Sequence, residues 1–435
     1  MDKYRYAVNR LFKKTIASIA SKRPASLKKI LYISYDGLTD SLGQSQILPY
    51  LEGLSKYEFQ FFVLSFEKRR RYHKEKETVK NITDAAGIKW IPLWFTARPP
   101  VLSKIYDRWR LKKTALKLNR RHKFDMVHCR SYVAAEIGLY FKIKFGTKFL
   151  FDMRGFWADE KKDSGAWDQK NPFFRRVYKY YKQEETRYLK NADEIVTLTE
   201  AAKKEMKKWP AYNPGVPLRI IPCCADMNHF SLTDQEQKFE ARKKLGLSQD
   251  GLILSYLGSV GTWYMLDEML VFFKKVKTNF SSAKFLFITQ TPPIIIEDKI
   301  KDLKLDRNDF VIIEAARSEV PATVKASDVN ISFIKPVYSK ISSSPTKLGE
   351  VLSMGIPVIC NSGVGDVESI VTNANAGHIL TGFSDSDYKE AVNVIPELLK
   401  KSPADIRNRI KDIFSLEKGI DSYLLCYRHM FSQAV

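Results

Sequence analysis

A chain of 435 residues, 44% hydrophobic and 12% aromatic, is too long for one ordinary domain and too apolar to be disordered, so it suits two domains with separate cores. It has no run of about 18 apolar residues that would span a membrane, and its first residues, with Lys3, Arg5 and Arg10, lack the apolar core and cleavage site of a secretory signal. The net charge of +23 is concentrated: residues 1–250 carry 51 Lys and Arg against 28 Asp and Glu, and residues 251–435 carry 21 of each, so a polyanion, either anionic lipid or nucleic acid, is expected to face the first half.

In chain order, Val8, Leu11, Phe12, Ile16 and Ile19 recur at helical spacing with Lys13, Lys14 and Lys22 around them. Residues 1–27 therefore read as a separate basic amphipathic helix suited to an anionic membrane surface, although a helix packed on its own domain gives the same pattern. Lys29–Tyr35 is a buried-strand signature, followed by a glycine-containing loop to Gly43 and a helix over Leu48–Leu54. Phe59–Phe66, Lys89–Pro92, Met126–His128, Lys148–Met153, 193–199 and 219–222 are further strand segments with helical stretches between them. Two of those stretches, 104–113 and 173–182, mix aromatics with Lys and Arg, as a lipid headgroup layer would favour. After a polar segment at 231–246 the alternation resumes with Leu252–Leu257, Lys284–Thr289, Phe310–Ile313, Val329–Ile334 and Pro357–Cys360. The pattern predicts an α/β protein of two Rossmann-like domains, 28–215 and 216–413, facing a cleft, with a C-terminal helix at 414–435 packing back on the first domain. The five cysteines (Cys129, Cys223, Cys224, Cys360 and Cys426) show no C-x-x-C spacing, which argues against a zinc site or disulfide framework and fits a reducing cytoplasm.

The chemistry gathers between Ser344 and Pro357. Ser344 suits an N-cap, Pro345 the first helical position, and Gly355 with Pro357 the end, so a short helix is expected from about 345 to 354. Its N-terminus favours phosphate, Thr346 and Lys347 sit in the first turn, and Glu350 lies on the face of Lys347. A cation for diphosphate beside a carboxylate for a ribose diol makes a nucleotide grip; an exposed i,i+3 ion pair has the same spacing. Gly363 and Gly365 follow the next strand and permit close backbone approach to a ligand, as they would in an ordinary turn. In the first half, His128 and Arg130 stand at the end of one strand and Asp152 and Arg154 at the end of another. Asp152 is a candidate acceptor base and Arg154 a candidate phosphate ligand; an internal Asp–Arg pair is the plainer reading.

Several segments in order, Ala192-Asp-Glu-Ile-Val-Thr-Leu-Thr-Glu200, Ile221-Pro-Cys-Cys-Ala-Asp226…Phe230, Gly258, Glu350, Gly355-Ile356-Pro357-Val358 and Gly363, resemble the retaining glycosyltransferase family 4 over roughly residues 28–380. The resemblance implies the GT-B fold, a nucleotide-sugar donor (UDP- or GDP-sugar) bound mostly by the second domain, an acceptor bound mostly by the first, retention of anomeric configuration, and no metal or other cofactor. It implies that Glu350 contacts the nucleotide ribose. It implies a role near the diphosphate for Gly43 in the Gly37–Gln46 loop and for Gly258 and Ser259 after the first strand of the second domain. It places a residue near the reacting sugar at Arg130 rather than His128. Two family features are missing: Ser342 stands where a first glutamate is usual, and Gly258–Tyr264 lacks an Arg/Lys pair that binds diphosphate. Lys347 is the expected replacement, helped by Lys335 or Lys340.

The expected activity is transfer of a hexose from a nucleotide sugar to a glycan or polyprenyl-linked acceptor. The expected setting is cell-surface polysaccharide or lipopolysaccharide synthesis, by a protein peripheral on the cytoplasmic face of a membrane. A catalytically silent relative serving as scaffold, an inverting GT-B enzyme and a sugar-nucleotide epimerase are the alternatives. Nucleic acid is not an expected partner, because no RNP-like, helix-turn-helix or zinc signature accompanies the charge.

Overall fold

The computed structural model describes residues 27–432, so the helix expected over 1–27 lies, apart from Leu27, outside the described residues. Two parallel sheets organise the chain. The first holds β1 (Lys28–Ser34), β2 (Phe59–Glu67), β3 (Lys89–Trp94), β4 (Met126–Arg130), β5 (Lys148–Asp152), β6 (Glu194–Thr197) and β7 (Leu218–Ile220), in the order β3-β2-β1-β4-β5-β6-β7. The second holds β8 (Ile253–Leu257), β9 (Lys284–Ile288), β10 (Phe310–Ile313), β11 (Val329–Ser332), β12 (Val358–Asn361) and β13 (Gly377–Leu380), in the order β10-β9-β8-β11-β12-β13. Strands such as Phe149-Leu150-Phe151 are apolar without alternation because helices cover both faces. This is the expected pair of Rossmann-like domains, except that β7 pairs with β6, so the first domain runs past 215 instead of ending there.

Three local expectations need correction. β11 stops at Ser332 rather than Ile334, because the Asn361 side chain takes both backbone groups of Ile334, accepting from its N–H and donating to its carbonyl at 2.8 Å each. β3 runs on to Trp94, pairing beside β2. The edge strand β13, a four-residue Gly-His-Ile-Leu, was too short to stand out by pattern.

The last helix, Leu416–Ser432, leaves the second domain and lies on the first, against the helix Leu48–Leu54. Tyr423, Leu424, Tyr427 and Met430 complete a core with Ile30, Tyr32, Phe59 and Phe61. Among the described residues no helix is long and apolar enough to cross a membrane.

Candidate active site

A cavity of about 470 Å³ opens where the carboxyl ends of the two sheets meet. Strand order reverses between β1 and β4 and between β8 and β11, and such switch points leave room for a ligand. Tyr35 and Asp36 follow β1, Arg130 ends β4 and Arg154 follows β5, while Trp263, Lys340 and Thr346 line it from the second domain.

The floor is a buried polar network. Alternate residues of a strand share a face, so His128 lies beneath Arg130. His128 Nδ1 is 2.7 Å from the Tyr427 hydroxyl, and its Nε2 is 3.3 Å from Asp152 Oδ2. The Tyr423 hydroxyl donates to that same oxygen at 2.9 Å. Burial holds both tyrosines well above their ordinary pKa, so they remain donors. Burial likewise pushes the His128 imidazole down, leaving it neutral with Nε2–H donated to Asp152. For Asp152 burial pushes upward, but Arg154, His128 and Arg130 outweigh it and hold the carboxyl below its usual range. Arg154 sits in left-handed backbone, φ 54°, ahead of Gly155 at φ 123°, a turn that folds its side chain back over the floor. Its Nη1 is 3.8 Å from Asp152 Oδ1 and 3.4 Å from the Tyr423 hydroxyl, and its Nη2 is 3.2 Å from Cys223 Sγ.

The opposite wall is clamped by the first domain. The Phe156 N–H donates to Ser342 Oγ at 2.8 Å, the Ser339 N–H to Asp163 at 2.9 Å and the Cys223 N–H to Ser344 Oγ at 3.1 Å. Lys340 Nζ is 2.7 Å from Glu160 and 3.8 Å over the Trp263 ring. The helix Thr346–Ser353 starts here and opens its N-terminus on the cavity. Ser344 does not cap it as the pattern predicted: its oxygen is spent on Cys223, and Pro345 holds the N-cap position without a side-chain bond. Glu350 is buried, 1% exposed, with Lys347 Nζ 3.0 Å from Oε2 and Arg317 Nη1 3.1 Å from Oε1. The pair is therefore a partly buried triad rather than an exposed i,i+3 contact.

Two further cavities adjoin. One, about 420 Å³, sets Arg317, His229 and Gln290 against Ser41, Gln44 and Arg71 of the first domain. The other, about 330 Å³, lies behind the helix against Leu348 and Phe414, and its carboxylates Glu200, Asp366 and Asp412 against the single cation Lys418 make it a poor place for a diphosphate.

Residues 50–229 match the family model described as Glycosyltransferase Family 4. The match covers less than half of the chain, and it is that stretch that carries the likeness to the family. No curated protein sequence matches it. Its fold is shared with sucrose-phosphate synthase from Thermosynechococcus elongatus, at TM-score 0.70 and 14% identity, over 94% of this chain and 100% of that one. Anabaena HepE in complex with UDP-glucose aligns at TM-score 0.67 and 12% identity, over 92% and 99% of the two chains. WaaG, a glycosyltransferase involved in lipopolysaccharide biosynthesis, aligns at TM-score 0.63 and 13% identity, over 91% and 98%.

The predicted residues divide. Arg130, Arg154 and Thr346 line the central cavity together. His128 and Asp152 do not: they are 2% and 1% exposed and lie under the floor, covered by the last helix. An ionised, enclosed Asp152 with His128, Tyr423 and Arg154 around it is built to hold arginine, not to take a proton from an acceptor. Gly43 is required by its own loop, since a Cβ there would collide with the Gly37 carbonyl. Buried Glu67 holds that loop by accepting from the Leu38 and Thr39 N–H groups at 2.8 and 3.1 Å. A Cβ on Gly365 would collide with the Ser343 carbonyl, and one on Gly363 would crowd Pro336, so both glycines serve packing against the clamped segment. Gly258, at φ 140°, turns the chain after β8 and Ser259 is exposed beyond it; neither lines the cavity. Ser342, where the first glutamate was expected, is a buried acceptor for the other domain.

Arg317 and Glu160 escaped the sequence reading. Arg317 follows β10 at a sheet's carboxyl end, the position where a basic residue warrants attention, but its partner Glu350 is 33 residues away.

Proposed function

We propose that this glycosyltransferase moves a hexose from a UDP- or GDP-sugar to a glycan or polyprenyl-linked acceptor, with retention, in cell-surface polysaccharide or lipopolysaccharide synthesis. The observation that carries the reading is the triad in which Arg317 joins Lys347 and Glu350 of the helix whose N-terminus opens on the interdomain cavity. Phosphate suits the helix terminus and its cations, and a ribose diol suits Glu350 once one of its cations turns to the phosphates. The chemistry needs no metal on this reading, because arginine and lysine supply the charge. Calorimetry of the full chain against UDP- and GDP-sugars tests it: micromolar binding of one donor, and transfer or hydrolysis that Glu350→Ala abolishes, is expected. Binding without turnover would favour the scaffold alternative, to which Ser342 and the engaged Glu350 already lend weight. NMR of the product anomer separates retention from inversion.

The acceptor side is proposed to meet an anionic membrane surface from the cytoplasm. On the helix Pro100–His122, Leu102, Ile105, Tyr106 and Trp109 are exposed, with Lys112 over the Tyr140 ring and Lys113 over the Trp109 ring beside them. Phe173 and Tyr180 add to that face, and Arg108 donates to the Tyr180 hydroxyl at 2.9 Å. Aromatic and basic side chains together favour the headgroup layer. Trp109→Ser with Leu102→Ser should lower binding to phosphatidylglycerol vesicles about tenfold, and removing residues 1–26 should move the protein to the soluble fraction. Unchanged partitioning of both variants in moderate salt would defeat the proposal.

A further inference from the structure

The floor of the cleft holds a guanidinium whose hydrogen-bond donors its neighbours do not fill. The Arg130 side chain is 4% exposed, yet its Nε and Nη1 find no hydrogen-bond acceptor among the described residues. The carboxylate of Asp36 stands 3.7 Å from Nε, too far for a hydrogen bond. A buried N–H left unpaired is costly, more so on a charged group, so such an arrangement persists where an acceptor arrives from elsewhere. Arg154 beside it has one carboxylate, Asp152, whose Oδ1 also lacks a hydrogen-bonding partner. Arg154 thus has buried Asp152 within ion-pair distance and Arg130 has only the half-exposed Asp36, at the edge of a cavity both arginines line.

Across the cavity the second domain has little free charge to offer. The loop Gly258–Tyr264 contains no Lys or Arg. Lys340 is engaged by Glu160, and Lys347 by Glu350. Beyond the backbone N–H groups of the Thr346 helix, the unspent charged side chain that lines the cavity is Arg130, on the first-domain side.

We infer that Arg130, backed by Arg154, takes up the charge of the departing nucleoside diphosphate, so that the leaving-group cation comes from the first domain. The inference rests on the glycosyltransferase reading above. In transfer, the bond between the anomeric carbon and the β-phosphate oxygen breaks, and its electron pair stays on the phosphate. The anomeric carbon bonds to the acceptor hydroxyl oxygen, whose proton passes to the released diphosphate and on to solvent. Negative charge therefore grows on the β-phosphate as the bond lengthens, and a donor already aimed and already stripped of water stabilises it without reorganising. The planar guanidinium also meets two phosphate oxygens at once. The leaving group would bridge Arg130 on one domain and the Thr346 helix terminus on the other, so a donor held by an open second domain alone would lack the cation that lets it react.

The test uses the full chain, UDP or GDP, whichever the wild type binds, and the corresponding glucose ester. Free diphosphate carries the charge that the ester lacks. Arg130→Gln should weaken the free diphosphate about tenfold and the ester less than about threefold, and lower kcat about a hundredfold. Arg130→Lys should recover part of each loss, and unchanged melting temperatures would show that both variants fold. Equal weakening of diphosphate and ester, or a kcat within about threefold of wild type, overturns the inference while the transferase reading stands. A rise in acceptor KM with donor hydrolysis unchanged also overturns it, by moving Arg130 to the acceptor. A wild type that binds neither nucleotide nor ester overturns the transferase reading and the inference with it.

Discussion

The two sides of the cleft handle charge in opposite ways. On the second-domain wall each cation near the helix terminus has a carboxylate: Lys340 has Glu160, and Lys347 and Arg317 share Glu350. On the first-domain floor Arg154 leans on Asp152, while Arg130 has only Asp36 at 3.7 Å and keeps N–H groups in reserve. A paired cation attracts a ligand only by giving up its partner, so its net gain is small. An unpaired, desolvated one offers its full interaction. The contrast repeats within a few ångströms the asymmetry of the whole chain, basic in its first half and neutral in its second.

The contrast can be broken at its strongest point first. Asp152→Ala should cost about 3–5 kcal/mol in urea denaturation, because it strands buried Arg154 and leaves His128 and Tyr423 without their acceptor. A loss under about 1 kcal/mol would mean that the floor carries no such tension. Glu350→Ala should weaken nucleotide binding at least about tenfold in calorimetry. It should cost only about 1 kcal/mol of stability, since the side chains of Arg317 and Lys347 stay 23% and 34% exposed and water screens them.

The pH dependence comes next. His128 has its folded pKa below the ordinary value, so as pH falls below about 6.5 the unfolded chain binds a proton that the folded one refuses, and stability drops. Asp152, also held low, adds a loss at more acid pH, as the unfolded carboxylate protonates before the folded one. Between about pH 7 and 5.5, His128→Gln should lose stability less steeply than wild type, by up to about 1.4 kcal/mol per unit. Parallel slopes would place the sensitive group elsewhere, for instance at His378, which burial also holds low. The smallest effect belongs to Lys347→Ala, expected to weaken donor binding only a few-fold because its ammonium is a third exposed and already engaged. A large loss there would return the diphosphate charge to the second domain and weaken the contrast.

Much of the fold was legible in the chain. Apolar runs such as Lys29–Tyr35 and Leu252–Leu257 announce buried parallel strands, and Leu48–Leu54 is a helix as its pattern says. The spacing of Lys347 and Glu350 gives their pairing, because the helix itself brings them together. What local pattern leaves hidden is contact between domains. Ser344 has the chemistry of a cap and is spent instead on Cys223, 121 residues away. Asp152 ends its strand as expected, while His128 lies mid-strand because β4 runs on to Arg130, and the enclosure of both depends on Tyr423 and Tyr427, 271 and 299 residues further along. No period within a strand encodes what will later cover it.

That covering helix also sets an order of events during synthesis. The first domain emerges from the ribosome early, yet its core stays open along β1 and β2 until Tyr423, Tyr427 and Met430 arrive at the end of the chain. Until then the carboxylate under the arginines has no tyrosine donor. The half of the protein made first is thus the half finished last, and a chain interrupted before residue 416 would hold both sheets and still have no completed floor.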